Sequence, residues 1–129
     1  MEAIKTFVVD DDSLILELYK KVFEIFGFTV VDTAKNGKEA VIKFQKFIIK
    51  PDLIIMDYHM PCKNGLEATQ EILEIDKTAK IVIVSGDPTI KQKALDSGAI
   101  CFMEKPFNLP QLCLQINSFK NQKKNRVKC

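Results

Sequence analysis

The chain has 129 residues, of which 47% are hydrophobic and 28% are charged, and its formal net charge is +2. This length suits one domain with a proper core, the composition is typical of a globular protein, and the small charge does not favour nucleic acid as the main partner. Acidic residues precede any long apolar stretch, so the sequence predicts no signal peptide. The longest apolar stretch is interrupted by Lys50, Pro51 and Asp52, so the sequence predicts no membrane span. Both observations favour a cytoplasmic location.

Apolar runs that indicate strands alternate with amphipathic segments that indicate helices. The predicted strands cover 4–10, 29–34, 52–57, 80–86 and 99–103, and the predicted helices cover 13–26, 36–47, 66–75, 88–98 and 109–120. In the first predicted helix, an apolar residue recurs at every fourth position and forms one stripe: Leu14, Leu18, Val22 and Phe26.

Five strands that alternate with five helices predict a parallel sheet with helices on both faces. Right-handed crossovers then produce a doubly wound α/β domain. An α/β barrel would need eight such units and about twice this chain length. No linker divides the sequence, so we predict one domain over 1–121 and a basic, disordered tail over 122–129.

Polar side chains stand where four of the five predicted strands end. Asp10 and Asp11 follow the first strand, Asp57 ends the third, Ser85 ends the fourth, and Lys105 follows the fifth. In open α/β sheets, ligands bind beyond the carboxyl ends of the strands, so we expect these groups at one site. Each also has an ordinary explanation, such as a turn residue or a surface charge, but a shared site explains them together.

Converging carboxylates predict a cation at this site. The mutual repulsion of Asp10, Asp11 and Asp57 must be relieved by protonation or by a cation, and oxygen ligands favour Mg²⁺. An all-oxygen site beside a lysine and a hydroxyl is a phosphoryl-transfer arrangement, in which a carboxylate can serve as the nucleophile. The sequence lacks the glycine-rich loop of P-loop nucleotidases.

The chain resembles the receiver domain of two-component response regulators, the chemotaxis regulator among them. The matching stretches, in order, are VVDDD (8–12), IIMDYHMPCKNG (54–65), IVIVSG (81–86) and FMEKPF (102–107). The resemblance extends from Ile4 to about Phe119. It implies a flavodoxin-like strand order of 2-1-3-4-5, which the chemotaxis member of the family has.

The resemblance implies a phosphoacceptor and a metal site. Asp57 matches the residue that takes a phosphoryl group from a phosphohistidine of a sensor kinase or phosphotransfer protein. Asp10 and Asp11 match the acidic pair, in which the second acid binds Mg²⁺ directly and the first often acts through water. Asp57 and the backbone carbonyl of His59 would supply further ligands, and Mn²⁺ could replace Mg²⁺.

The resemblance also implies a conformational switch. Lys105 matches the lysine that pairs with the phosphoryl oxygens, and the Lys105–Pro106 peptide bond is typically cis, which is rare in general. Ser85 would turn to donate a hydrogen bond to the phosphoryl group, and Phe102 would move into the space that Ser85 vacates. The surface formed by the fourth helix, fifth strand and fifth helix would then carry the signal.

Two of these assignments stay open at this point. Phe102 has the alternative reading of a plain core aromatic. His59 and Asp87 occupy the positions that tune how quickly water removes the phosphoryl group, and the imidazole of His59 could shield the acceptor or orient a water molecule.

The sequence therefore predicts a phosphorylation-dependent signalling switch that catalyses its own phosphoryl transfer and hydrolysis and is not a metabolic enzyme. Its expected partners are a sensor histidine kinase or phosphotransfer protein, and a downstream protein or an output domain outside this chain. We expect no nucleic-acid or membrane contact, and phosphorylation could promote a dimer.

Two alternatives compete with this reading. One is a receiver-like module that binds a partner without being phosphorylated, although such modules normally lack an acid or the lysine. The other is an aspartyl-phosphate hydrolase of the haloacid dehalogenase type, because Asp10 and Asp12 have its D-x-D spacing. Those enzymes normally carry a cap insertion and a longer chain.

Overall fold

A computed structural model describes residues 3–120 as five strands and five helices. The strands are β1 (Ile4–Val9), β2 (Phe28–Ala34), β3 (Leu53–Asp57), β4 (Ile81–Ser85) and β5 (Cys101–Glu104). The helices are α1 (Ser13–Ile25), α2 (Gly37–Lys46), α3 (Gly65–Ile75), α4 (Lys91–Asp96) and α5 (Leu109–Lys120). The tail predicted over 122–129 lies outside the described residues. Within 3–120, no helix is both long enough and apolar enough to cross a membrane.

All strand pairs are parallel, and the sheet has the order β2-β1-β3-β4-β5. The doubly wound fold and the strand order are therefore confirmed. The register pairs Val9 with Met56, Asp57 with Val84, and Ser85 with Glu104. This alignment brings the ends of β1, β3, β4 and β5 to one edge of the sheet, here called the carboxyl edge; the opposite edge is the amino edge.

Alternate strand residues feed two cores, one on each face of the sheet. Ile54 and Met56 of β3 pack in the core covered by α2, α3 and α4, whereas Leu53 and Ile55 pack in the core covered by α1 and α5. All residues of β3 and β4 are buried, which is typical of central parallel strands covered on both faces.

The apolar stripe predicted for α1 is not its buried face. Leu14 is 81% exposed and Leu18 is 48% exposed. The buried residues are instead Leu16, Tyr19 and Phe23, at the i, i+3, i+7 spacing of a helix face. The helix has more apolar residues than one face can bury, and of the four predicted residues only Val22 packs against the core.

The fourth helix is shorter than predicted. Residues Pro88–Ile90 form a 3₁₀ turn, and the α-helix covers only Lys91–Asp96. Proline at the start of the turn has no N–H to leave unpaired, and Asp87 caps the turn by accepting a hydrogen bond from the Thr89 amide at 2.9 Å. Gly98, with φ of +106°, follows the helix.

Candidate metal centre

Three carboxylates meet at the carboxyl edge. Asp10, Asp11 and Asp57 each present a carboxylate oxygen, and these three oxygens lie within 4.8 Å of one another. Asp10 and Asp57 are only 4% and 6% exposed, while Asp11 is open to solvent. The structure thus brings together the three acids that the sequence placed after β1 and at the end of β3.

Burial makes the charged forms of two of these acids unfavourable. Loss of solvent raises the pKa of Asp10 to about 6, and the negative charge of Asp57 raises it further. The Asp12 amide, which donates a hydrogen bond to Asp10 Oδ1 at 2.9 Å, acts in the opposite direction and lowers this pKa. Burial also raises the pKa of Asp57, against the opposing hydrogen bond and charge of Lys105. A hard cation with oxygen ligands would stabilise the charged forms, so the residues fit a divalent metal.

Among the described residues, Lys105 is the cation that contacts this cluster. Its Nζ donates a hydrogen bond to Asp57 Oδ1 at 3.0 Å, and its backbone N–H donates to the Ser85 carbonyl at 2.9 Å. The Lys105–Pro106 peptide bond is cis, as the family resemblance implied. The lysine side chain is 42% exposed, so this ion pair is partly open to solvent on the lysine side.

The loop Tyr58–Asn64, here called the acceptor loop, is closed by backbone hydrogen bonds. The Tyr58 amide donates to Val84 of β4, and the Gly65 amide donates to the Tyr58 carbonyl, each at 2.9 Å. A Cβ on Gly65 would overlap the Asp57 carbonyl oxygen, so glycine allows α3 to begin directly against the end of β3. The exposed His59 lies on this loop, with its ring edge-on to Tyr58 at 4.7 Å between centroids.

Ser85 and Asp87 are hydrogen-bonded to the turn that follows β4. Ser85 is 1% exposed, and its Oγ accepts a hydrogen bond from the Asp87 amide at 3.0 Å. The Asp87 carboxylate accepts bonds from the hydroxyl and the amide of Thr89, and these bonds lower its pKa. Asp87 therefore lies near the centre but acts as the cap of the Pro88–Ile90 turn.

Phe102 is buried, with 6% of its surface exposed, in the core covered by α2, α3 and α4. It pairs with Ile83 in the register of β4 and β5. This position fits both earlier readings, an inward switching aromatic and a plain core residue.

Sequence reasoning missed Tyr19, which lies in the core covered by α1 and α5. Tyr19 is 4% exposed, and burial raises its pKa, with further contributions from the charges of Asp10 and Asp57. The available signal was its i, i+3, i+7 spacing with Leu16 and Phe23, which marks the buried face of α1.

Known proteins are similar to this chain over most of its length. The family model for the response regulator receiver domain matches residues 6–117. The chain is 35% identical to the chemotaxis protein CheY of Thermotoga maritima, over 88% of this chain and 94% of that protein. It is also 35% identical to CheY of Bacillus subtilis, over 92% of this chain and 99% of that protein.

A solved structure is similar over nearly the whole fold. The CheX–CheY–BeF₃–Mg²⁺ complex from Borrelia burgdorferi contains a chain with a TM-score of 0.86 and 28% identity, and the match covers 92% of this chain and 90% of that one.

Proposed function

This chain belongs to the response regulator receiver domain family, a family of two-component and chemotaxis signalling proteins, and we propose that its switch is phosphorylation of Asp57. The observation that carries the proposal is the position of the Asp57 carboxylate, which lies within 4.8 Å of two other carboxylates and accepts a hydrogen bond from Lys105 at 3.0 Å. One nucleophilic carboxylate, two further acids and one ammonium group are the parts that transfer to an aspartate requires.

In the proposed reaction, an Asp57 carboxylate oxygen forms a bond to the phosphorus of a phosphohistidine. The bond from phosphorus to the donor imidazole nitrogen breaks, and that nitrogen keeps the electron pair. Lys105 balances charge on the phosphoryl oxygens, because its ammonium group already contacts the acceptor. The same residues would support hydrolysis of the aspartyl phosphate, so the chemistry is self-catalysed and regulatory.

Asp10, Asp11, Asp57 and the His59 carbonyl would hold the metal, with Mg²⁺ as the expected ion and Mn²⁺ as its substitute. When bound, such an ion neutralises charge among the phosphoryl oxygens. The Borrelia CheY complex, crystallised with BeF₃ and Mg²⁺, supports this assignment by similarity.

Ser85 and Phe102 would convert phosphorylation into a change of surface. The Ser85 hydroxyl oxygen accepts from the Asp87 amide, so its hydrogen is available to donate to a phosphoryl oxygen. Phe102 lies on β5, between α4 and α5 in chain order, and its packing would set the shape of the α4–β5–α5 surface. His59 and Asp87 would adjust the lifetime of the phosphoryl group.

The outer face of α1 supports a protein donor. Leu14, Leu18 and Ile15 are 81%, 48% and 37% exposed, and this apolar face begins close to Asp11. Exposed apolar surface beside a reactive site favours contact with a protein partner, here a kinase or phosphotransfer protein. The downstream protein, any output domain and a phosphorylation-dependent dimer remain part of the proposal.

No observation favours the hydrolase alternative. Asp12, which would be the second acid of the D-x-D motif, caps α1: its Oδ1 accepts hydrogen bonds from the Leu14 and Ile15 amides at 2.9 and 3.4 Å. It is outside the group of three carboxylates that can share a metal.

The proposal is tested by intact mass after incubation with Mg²⁺ and acetyl phosphate. We expect the mass of one phosphoryl group to be gained by the wild-type chain and by Asp76→Asn, a control at an exposed turn. The gain should disappear in Asp57→Asn and after chelation of the metal. An unmodified wild-type chain, beside a receiver that does react, would instead support the non-phosphorylated interaction module.

A further inference from the structure

Gly37, the first residue of α2, contacts the acceptor loop through backbone atoms. Its N–H donates to the Lys63 carbonyl oxygen at 3.1 Å. A Cβ placed on Gly37 would overlap that oxygen, and it would lie 2.9 Å from the Lys63 carbonyl carbon and 3.0 Å from Lys63 Cβ. The first turn of α2 and the loop therefore meet at a distance that only glycine permits.

The local conformation of α2 does not explain this glycine. Positive φ angles occur at Gly27 and Gly98 among the described glycines, and not at Gly37. The helix start is already capped, because Asn36 Oδ1 accepts from the Glu39 amide at 2.8 Å. Glycine is also less favourable than alanine inside a helix. The close approach of Lys63 is the feature that requires it.

Lys63 is the penultimate residue of the acceptor loop, just before the Asn64 cap of α3. The two ends of the loop are held by the bonds from Tyr58 to Val84 and from Gly65 to Tyr58. The bond from Gly37 adds a third attachment, and an ion pair between Lys63 and Glu71 of α3 braces the same residue. The segment between these attachments includes His59.

We propose that Gly37 is a positioning residue, which fixes the acceptor loop and so places the His59 carbonyl relative to Asp57. The proposal rests on the proposed function, which makes that carbonyl a metal ligand. A side chain at position 37 would push Lys63 outward and carry the loop with it. Displacement of about 1 Å is enough to weaken a catalytic arrangement substantially.

The direct test is Gly37→Ala, compared with Lys38→Ala, an exposed position in the same helical turn. We expect Gly37→Ala to raise the Mg²⁺ dissociation constant, measured by calorimetry, about 10-fold, as for other groups that orient metal ligands. Phosphorylation by acetyl phosphate should slow at low Mg²⁺ and recover at saturating Mg²⁺. The Lys38→Ala protein should bind and react like wild type. Wild-type Mg²⁺ affinity in a folded Gly37→Ala protein would overturn the proposal.

A measurement on the wild-type chain covers the case in which Gly37→Ala does not fold. Addition of Mg²⁺ should shift the NMR resonance of the Gly37 amide together with those of residues 58–64. A Gly37 resonance that stays fixed while the loop resonances move would show that the contact does not couple the two, and the idea would fail.

These results also separate this inference from the proposed function. A wild-type chain that binds Mg²⁺ but gains no phosphoryl group rejects the proposed function, while weaker Mg²⁺ binding in Gly37→Ala still supports the positioning role. A phosphorylated wild-type chain with equal Mg²⁺ affinity in both proteins rejects the positioning role alone.

Discussion

Asp10 and Asp57 at the carboxyl edge have electrostatic surroundings opposite to those of Asp76 at the amino edge. At the amino edge, Asp76 accepts hydrogen bonds from the hydroxyl and the amide of Thr78, which lower its pKa. At the carboxyl edge, burial raises the pKa of Asp10 and Asp57. Asp76 forms a turn, as Asp87 does after β4, whereas Asp10 and Asp57 are held in surroundings that disfavour their charged forms. Burial of the Asp10 and Asp57 charges thus lowers the stability of the metal-free fold at the place where a cation and a phosphoryl group are expected to bind.

The largest effect should come from removing the cation that contacts Asp57. We expect Lys105→Met to slow phosphorylation by acetyl phosphate about 100-fold, the usual scale for losing one charged donor. Intact mass against time measures the rate. Lys80→Met, which removes an exposed lysine just before β4 at the amino edge, should react at the wild-type rate. Equal rates for both variants would contradict the role of Lys105.

Neutralising Asp10 should stabilise the metal-free protein. At pH 7 we expect Asp10→Asn to raise the free energy of unfolding by about 1–2 kcal/mol, because a buried charge and its repulsion with Asp57 are removed. Urea unfolding measures this change. At the amino edge, Asp76→Asn should not stabilise, since that acid is favoured in its charged form. A less stable Asp10→Asn protein would break the contrast between the edges.

The same contrast predicts a dependence on pH. Folded Asp10 keeps its proton up to a pKa of about 6, whereas an unfolded aspartate loses it near pH 4. Between these values the folded state binds more protons, so the stability of the metal-free protein should fall as pH rises, by about 1 kcal/mol after allowance for solvent screening. Urea unfolding across this window should show a smaller slope in Asp10→Asn. Mg²⁺ binding should strengthen over the same interval as the proton leaves.

The smallest effect concerns a buried polar group with no place in the centre. Thr69 of α3 is fully buried, and within the described residues its hydroxyl has no hydrogen-bond partner. Thr69→Val should stabilise the protein by about 0.5–1 kcal/mol without changing Mg²⁺ affinity. A loss of Mg²⁺ affinity would show that this hydroxyl, unlike the acids, is connected to the carboxyl edge from a distance.

The convergence of the acids was predictable because parallel strands place their ends at one edge. Because Asp10 and Asp57 were assigned to the carboxyl ends of strands in one parallel sheet, the fold itself predicts that they lie close together. The strand order came from the family resemblance rather than from the pattern of apolar residues. Residue roles at the centre stay predictions until the reactions above are measured.

Contacts between elements distant in the chain were not predictable. The outer stripe of α1 and its buried face both have helical apolar spacing, so periodicity alone did not decide which of the two, and hence whether Tyr19, faces inward. Asn36 and Gly37 were predicted as the start of the second helix, and the packing of α2 against Lys63 is what explains the glycine. Such features depend on which segments of the chain pack against each other, and the periodicity of apolar residues along the sequence does not contain that information.

The place where the first three helices begin has an electrostatic consequence. Because β1, β2 and β3 each end where a helix soon begins, α1, α2 and α3 start at the carboxyl edge, at Ser13, Gly37 and Gly65. The amino end of a helix carries a partial positive charge from its aligned peptide dipoles. The carboxyl edge, which holds the acids, therefore also holds the partially positive amino ends of three helices. An anionic group added at this edge would be stabilised by these backbone dipoles.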